Sequence, residues 1–467
     1  MALKSRSAAQ ISLSAVVRCL FWSGMIPLMA ASAPRLYTVE NYDVSIRPDL
    51  VKGHLDGEVS IRFHSRAESP ISALELDAGG LQITSVTEES KPQWFEHRGS
   101  LLFIVLTTPL YLDEHRTLTV RYQAGSSAGL KFFPDQVYTA AVRDWMPSND
   151  GPEERATLHL SIAAPADMQV AASGRLTDTH TSGAQSLTEW QLDSPASPDW
   201  FGFALGAFTE NTSQAHGVKL RILGAGTEVF EPTTAALGYL ADRSGKSYPG
   251  QSYTQVFIHG DVVRSLAAGL TLLPESDSRG LAKDPEKLWL LTRELAQQWY
   301  GMKLGPKDWS DLWLSEGVSA FLADTFLGQR IGEQSYQQQI EHSRQIYNRL
   351  RVQQKDRALS YSEWTTREDA DGEIPVYKGA CFLDLVHEMT GDSTFWERLR
   401  WYTSEYWGQP VTSEDFQRAF AGINGNVRSA GKKNVAPLKE TRAKALDSLF
   451  DVWVYGIPTT TARKGAK

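Results

Sequence analysis

Residues 291–317 read LTRELAQQWYGMKLGPKDWSDLWLSEG, and the charged side chains in this stretch decide how the rest of the chain is read. Asp284 to Tyr300 carries helical periodicity. Leu288, Leu290, Leu291, Leu295 and Trp299 make an apolar stripe, while Asp284, Glu286, Arg293, Glu294 and Gln297 supply the polar positions. Arg293 and Gln297 are four apart, one turn above each other on one face. A second helix fits 312–328. Glu316 falls in its first turn, 19 positions after Gln297.

Outward from this stretch the chain divides in two. From about Tyr37 to Glu210, short alternating runs such as DVSIRP (43–48), EVSIRFH (58–64), LLFIVLT (101–107), LTVRYQA (118–124) and ATLHLSIAAP (156–165) are separated by Gly, Pro, Asn and Asp turns. Strands at this spacing predict an antiparallel sandwich or a large open, saddle-like sheet. After about Gly217 the pattern becomes mainly helical, with strands at 219–223 and 254–260 and further helices at 335–354, 377–389, 412–420 and 443–455. Residues 424–439 are rich in Gly, Lys and Asn and fit a loop. The expected class is α+β: an N-terminal β domain over 34–212, then a mainly α-helical domain over 213–460. A polar, frayed tail covers 461–467.

With 467 residues, each part is long enough for its own core. A formal net charge of −8 excludes a generally basic nucleic-acid-binding surface. Lys4 and Arg6, the apolar run CLFWSGMIPLMA (19–30) and Ala31-Ser32-Ala33 have the order of a secretory leader over 1–33, which predicts an exported protein. No later segment has the roughly 20 apolar residues of a membrane span. Of the two cysteines, Cys19 lies in the leader, and Cys381 reads as a core thiol. The ten histidines are scattered and none forms a His-x-x-x-His pair, so the sequence points to no conventional metal site.

A zinc hydrolase of the helical type needs two histidines four apart, a glutamate beside the first to act as general base, and a third ligand from a later helix. Residues 293–297 have that spacing with other ends. Glu294 holds the general-base position and Glu316 the third-ligand position. The segment resembles the aminopeptidase N-like zinc metallopeptidases (peptidase family M1, gluzincins). Their pattern is His-Glu-Leu-Ala-His-Gln-Trp-Phe-Gly followed by Trp-Asp-Leu-Trp-Leu-Asn-Glu-Gly. Glu294-Leu295-Ala296, Gln298-Trp299-Tyr300-Gly301 and Asp311 through Gly317 follow it without insertion. YTVENYDVSIRPDL (37–50), WMPSNDGPEERATLHLSI (145–162) and FDVWVYGIP (450–458) extend the resemblance to about residues 37–460. It implies that the second domain is thermolysin-like, without the helical C-terminal domain of longer members.

The departures fall on chemical positions. The two ligand histidines are replaced by Arg293, which has no acceptor atom, and Gln297, a neutral and poor zinc ligand. The resemblance implies a Gly-x-Met-Glu-Asn motif whose glutamate grips the substrate amine. With Gly269-Leu270 as anchor, Leu266 stands there. It also implies a transition-state tyrosine in Tyr-x-Lys-Gly. Val376 stands in that place, and Tyr377 comes one residue late, about 100° away on an α-helix. Trp299, Trp313 and Gly317 meanwhile keep the framework.

Two expectations follow. Arg293 pairs with Glu316, Glu294 or both, one cation replacing another. No cofactor is expected, with Arg293, Gln297 and Glu316 as vestigial metal positions. Glu294 is then a vestigial general base, and Tyr377 a displaced transition-state tyrosine. Arg293, Glu316 and Leu266 line a former cleft that can hold a peptide or protein ligand. Two alternatives stand beside this pseudo-peptidase reading. One is an active zinc peptidase whose metal site is rebuilt from Glu316, Glu294 and a further ligand. The other is a structural interaction module with a collapsed cleft.

Overall fold

A computed structural model describes residues 35–260, 266–421 and 438–456. The leader-like segment 1–33, positions 263–265, most of the 424–439 loop and the tail 461–467 lie outside the described residues. Within them, the N-terminal part is built on an eight-stranded sheet. Its order is Arg175–Ser182, Gln185–Ala196, Ala156–Pro165, Tyr37–Asp49, His54–Ser65, His115–Gly125, Gln82–Glu88 and Lys91–Pro92. Burial alternates along the strands, so Tyr42, Val44, Val59 and Val120 enter the core and their neighbours do not. A three-stranded sheet formed by Ile71–Asp77, Leu101–Leu110 and Trp94–Arg98 packs Leu74, Leu76, Leu102 and Ile104 into the same core.

One pairing departs from a purely antiparallel sheet. Tyr37–Asp49 lies parallel to Ala156–Pro165, with Tyr42 opposite Leu158. More than a hundred residues separate the two strands, so no hairpin turn constrains their direction.

A four-stranded sheet centred on Phe203–Gly206 leads to a five-stranded sheet that opens the second part. Tyr138, Ala171 and Ala204 from the first pack with Val256, Ala267 and Leu270 from the second. Beyond them come the helices Phe230–Ser244, Pro285–Ala296, Trp313–Arg330, Glu333–Val352, Gly379–Thr390, Asp392–Glu405, Ser413–Ala421 and Glu440–Trp453. Their apolar faces converge on Leu291, Leu295, Trp299, Trp313, Phe321, Phe382 and Phe416. The aromatic run at 396–407 belongs largely to this packing, with Trp396, Leu399 and Tyr402 buried. Among the described residues no helix is long and apolar enough to cross a membrane.

Candidate functional site

The helix carrying Arg293 is fixed at both ends. Asp284 caps its start, accepting from the backbone N–H of Glu286 at 3.0 Å, and Pro285 occupies the first helical position. At its far end Gln298–Lys303 forms a π turn broken at Tyr300 and Gly301. Gly301 has φ 154°, and a Cβ there would meet Ser315 Oγ at 2.6 Å and Trp200 at 2.7 Å. Ser315 in turn donates to the carbonyl of Tyr300 at 2.6 Å. The turn thus returns the chain against the residue that precedes Glu316.

The helix Trp313–Arg330 is anchored by Asp311. Its carboxylate accepts from Ser413 at 2.5 Å and Ser360 at 3.0 Å, while Trp313 donates to Ser413 at 2.9 Å. Gly317 lets this helix approach the one starting at Gly379. A Cβ on Gly317 would sit 2.9 Å from Gly379 Cα and from the carbonyl of Pro375.

These constraints bring Arg293, Glu294, Gln297 and Glu316 together out of solvent. Glu316 and Gln297 are 0% exposed, Glu294 6% and Arg293 9%, so the three charges and the Gln297 amide must be answered by protein. The Arg293 guanidinium donates through Nη1 to Glu294 Oε1 and through Nη2 to Glu316 Oε2. Gln297 Nε2 donates to the same Glu316 oxygen at 3.2 Å. Positions 293 and 297 therefore both reach one carboxylate oxygen. Arg293 also lies over the ring of Trp289, 5.7 Å from its centroid. The Trp289 indole N–H donates to Asp324 at 2.6 Å. Burial pushes the Asp324 carboxyl up to about 8, against the stabilising bond from Trp289.

A second guanidinium completes the cluster. Arg367 Nη2 is 3.5 Å from Glu316 Oε1, and Nη1 donates to Asp199, from the end of the β domain. Arg367 also lies over the ring of Trp309, 5.4 Å from its centroid. It lines a cavity of about 330 Å³ together with Arg143, Asp199, Leu266, Trp309 and Asp371. Leu266, in the edge strand Leu266–Ala267, thus presents an apolar side chain to this cavity. The backbone there is clipped to the Arg293 helix: Gly269 N–H donates to Gln298 at 2.9 Å, and Gln298 donates to the Ala267 carbonyl at 3.0 Å.

Tyr377 lies in a π turn, Ile374–Lys378. A π turn holds more residues per turn than an α-helix, so the offset between positions 376 and 377 is somewhat less than the α-helical rotation of about 100°. Val376 packs with Ala320 and Ala380, and the rings of Tyr377 and Trp289 lie against that cluster. Burial raises the Tyr377 phenol above its ordinary value, opposed by the positive charge of Arg293. Elsewhere, Cys381 is buried and its thiol is pushed up to about 12 by burial, while His387 is hydrogen-bonded to Asp392 at 3.0 Å.

Arg367, Asp199, Trp289 and Asp324 were not singled out from the sequence. Arg367 and Asp199 belong to segments without amphipathic periodicity, and only the tertiary fold carries them to Glu316. Trp289 and Asp324 lie on recognised helices, but their contact with the Arg293 environment depends on how those helices cross.

Comparison with known proteins adds to this geometry. Residues 268–453 match the Peptidase family M1 domain, and residues 38–197 match the Peptidase M1 N-terminal domain. The chain is 22% identical over 364 residues to a probable aminopeptidase 2 of Sulfurisphaera tokodaii, covering 73% of this chain and 46% of that protein. It is also 27% identical over 212 residues to transcription initiation factor TFIID subunit 2 of Schizosaccharomyces pombe, covering 40% of this chain and 18% of that protein. The chain spans about half the length, or less, of these curated relatives. In fold it is similar to the crystal structure of an M1 zinc metallopeptidase from Deinococcus radiodurans. The TM-score is 0.73 and the identity 21%, over 90% of this chain and 94% of the other.

Proposed function

This chain belongs to peptidase family M1, and from that premise we propose that it is a pseudo-peptidase, which keeps the family's fold and cleft and binds peptide or protein segments without cutting them. One observation carries the reading: the Arg293 guanidinium bridges Glu294 and Glu316, at the place the family resemblance assigns to zinc.

The residues present do not fit that metal. Arg293 has no lone pair to offer and carries a permanent positive charge. Gln297 offers a neutral amide, and its Nε2 is already directed at Glu316. Arg367 places a second cation 3.5 Å from the remaining carboxylate. Glu294 then has no metal-bound water to activate, and its carboxylate is committed to Arg293. No hydrolytic step is derived through this site.

The binding role is supported by the cavity beside Arg367. Its volume of about 330 Å³ is at the small end of ligand-sized pockets. Leu266 and Trp309 give it apolar walls, and Arg367, Asp199 and Asp371 give it charged ones. Of Arg293, Glu316 and Leu266 only Leu266 lines this cavity, Arg293 and Glu316 being buried beyond Arg367, and the space that stays open beside Leu266 supports a ligand-holding cleft over a fully collapsed one. Export to the cell envelope or beyond is part of the proposal and rests on the leader-like residues 1–33.

The test is an assay of untagged protein on a panel of aminoacyl chromogenic amides, with zinc added or chelated, beside fluorescence binding of short unstructured peptides. The expected result is no zinc-dependent turnover and saturable peptide binding that Leu266→Glu alters. Turnover abolished by chelation and restored by zinc would overturn the proposal.

A further inference from the structure

A second cluster lies in the N-terminal sheet, none of its residues lines the cavity described above, and it is independent of the reading above. His64 and His115 are directly opposite each other on neighbouring strands, with ring centroids 5.1 Å apart. Phe63, the residue before His64, is buried in the core, so by strand alternation His64 projects from the other face. On the strand beyond, His64 is opposite Thr38, and the register slips between Val39 and Asn41. Glu40 is therefore the extra residue of a β-bulge, a device that re-aims a side chain. Its Oε1 lies 3.2 Å from His64 Nδ1 and 3.1 Å from His115 Nδ1.

We propose that Glu40, His64 and His115 form a binding site for a divalent cation of the zinc class, a two-histidine, one-carboxylate set built on three adjacent strands. One potential ligand atom from each residue lies within 4.8 Å of the others. Ligands about 2.0–2.2 Å from a tetrahedral ion are about 3.3 Å apart, so the two oxygen–nitrogen separations are close to those of a formed site. Imidazole and carboxylate together suit zinc and its first-row neighbours.

A second observation points the same way. His64 Nδ1 is sealed from solvent and makes no hydrogen bond of acceptable geometry, although Glu40 Oε1 is close. A cation between them would use that lone pair. His115, with 48% of its side chain exposed, leaves a path for an ion and for a water at the fourth position.

The competing partner is Arg62, whose Nε lies 2.9 Å from Glu40 Oε2. It engages the other carboxylate oxygen and is 60% exposed, so Oε1 stays directed at the histidines. Occupation would tie the first strand of the fold, Tyr37–Asp49, to the next two strands on one side of it, His54–Ser65 and His115–Gly125.

The experiment is zinc titration of untagged full-length protein by calorimetry, with cobalt(II) absorption as a report on ligand geometry. Wild type is expected to bind one ion at this site, with Tm rising on zinc addition. His64→Gln, and His64→Gln with His115→Gln, are expected to weaken binding more than about tenfold, the loss that even an outer-shell change can cause. Their Tm in chelator should match wild type, which separates ligand loss from misfolding. His159→Gln is the control. His159 lies on the same sheet, 2.9 Å from Asp43 and 3.5 Å from Glu189, and its loss should leave binding unchanged. No saturable binding by wild type, or equal binding by the double variant, would overturn the proposal. Zinc retained by the double variant would lie elsewhere, so this result and the fate of the cleft are read separately.

Discussion

Arg293→Ala is expected to destabilise the fold by about 3–5 kcal/mol, the cost of removing one member of a buried ion pair. Two carboxylates lose their shared cation in the same step. Glu316 is 0% exposed and Glu294 6%, so water cannot readily replace it. Arg367, 3.5 Å from Glu316, offers partial compensation, which places the expectation toward the lower end. For a protein this large the same free energy appears as a fall of only a few degrees in Tm, so denaturant unfolding is the better measurement. Arg293→Lys keeps the charge but not the two-pronged fork that reaches Glu294 and Glu316 at once, and should recover only part of the loss. Replacing Arg293, Glu294 and Glu316 together with apolar residues of similar volume should be far less damaging than Arg293→Ala alone, because no charge is then left unpaired. A stability for Arg293→Ala equal to wild type would mean that the guanidinium does not compensate these carboxylates.

The second large effect is a gain. Arg293→His with Gln297→His is expected to create a zinc site where the parent has none. Positions 293 and 297 already direct side chains at one oxygen of Glu316. Two imidazoles there would complete a two-histidine, one-glutamate set with Glu294 beside it. About one zinc per chain should bind, and at a hundredfold excess over Kd the ion should stabilise the protein by about 2.7 kcal/mol. Arg367 would repel the ion, so affinity should rise further when Arg367 is neutralised. Turnover should remain poor even with zinc bound, because Leu266 supplies no carboxylate for a substrate amine. The measurement belongs in the His64→Gln/His115→Gln background, where the β-domain cluster cannot contribute. A folded variant that binds no zinc would show that the two helical positions do not converge on Glu316 as described.

Much of the site was legible because it depends on local rules. The apolar stripe of Leu288, Leu291, Leu295 and Trp299 marks the helix, the four-residue spacing puts 293 and 297 on one face, and a buried arginine must find carboxylates. The rest depends on chain crossings that no short-range pattern encodes. Arg367 reaches Glu316 from a segment with a single helical turn, Arg367–Ala370. The helix Phe230–Ser244 is disguised by Pro232 and Gly238. Pro232 falls in the first turn, where no helical hydrogen bond is lost. The π turn at 374–378, which holds Tyr377, follows no short-range sequence pattern. Glu40, His64 and His115 look scattered in sequence. Strand register makes the two histidines neighbours, and a bulge turns Glu40 toward them.

The central claim is that an arginine, not a metal, answers the buried carboxylates Glu294 and Glu316. The most direct test is the zinc content of untagged His64→Gln/His115→Gln protein after equilibration with trace zinc and removal of free ion. The expected result is no bound zinc above background, with the protein folded and Arg293 in place. Zinc near one per chain would contradict the claim, and it would mean that Glu316 and residues discounted above have rebuilt a metal site.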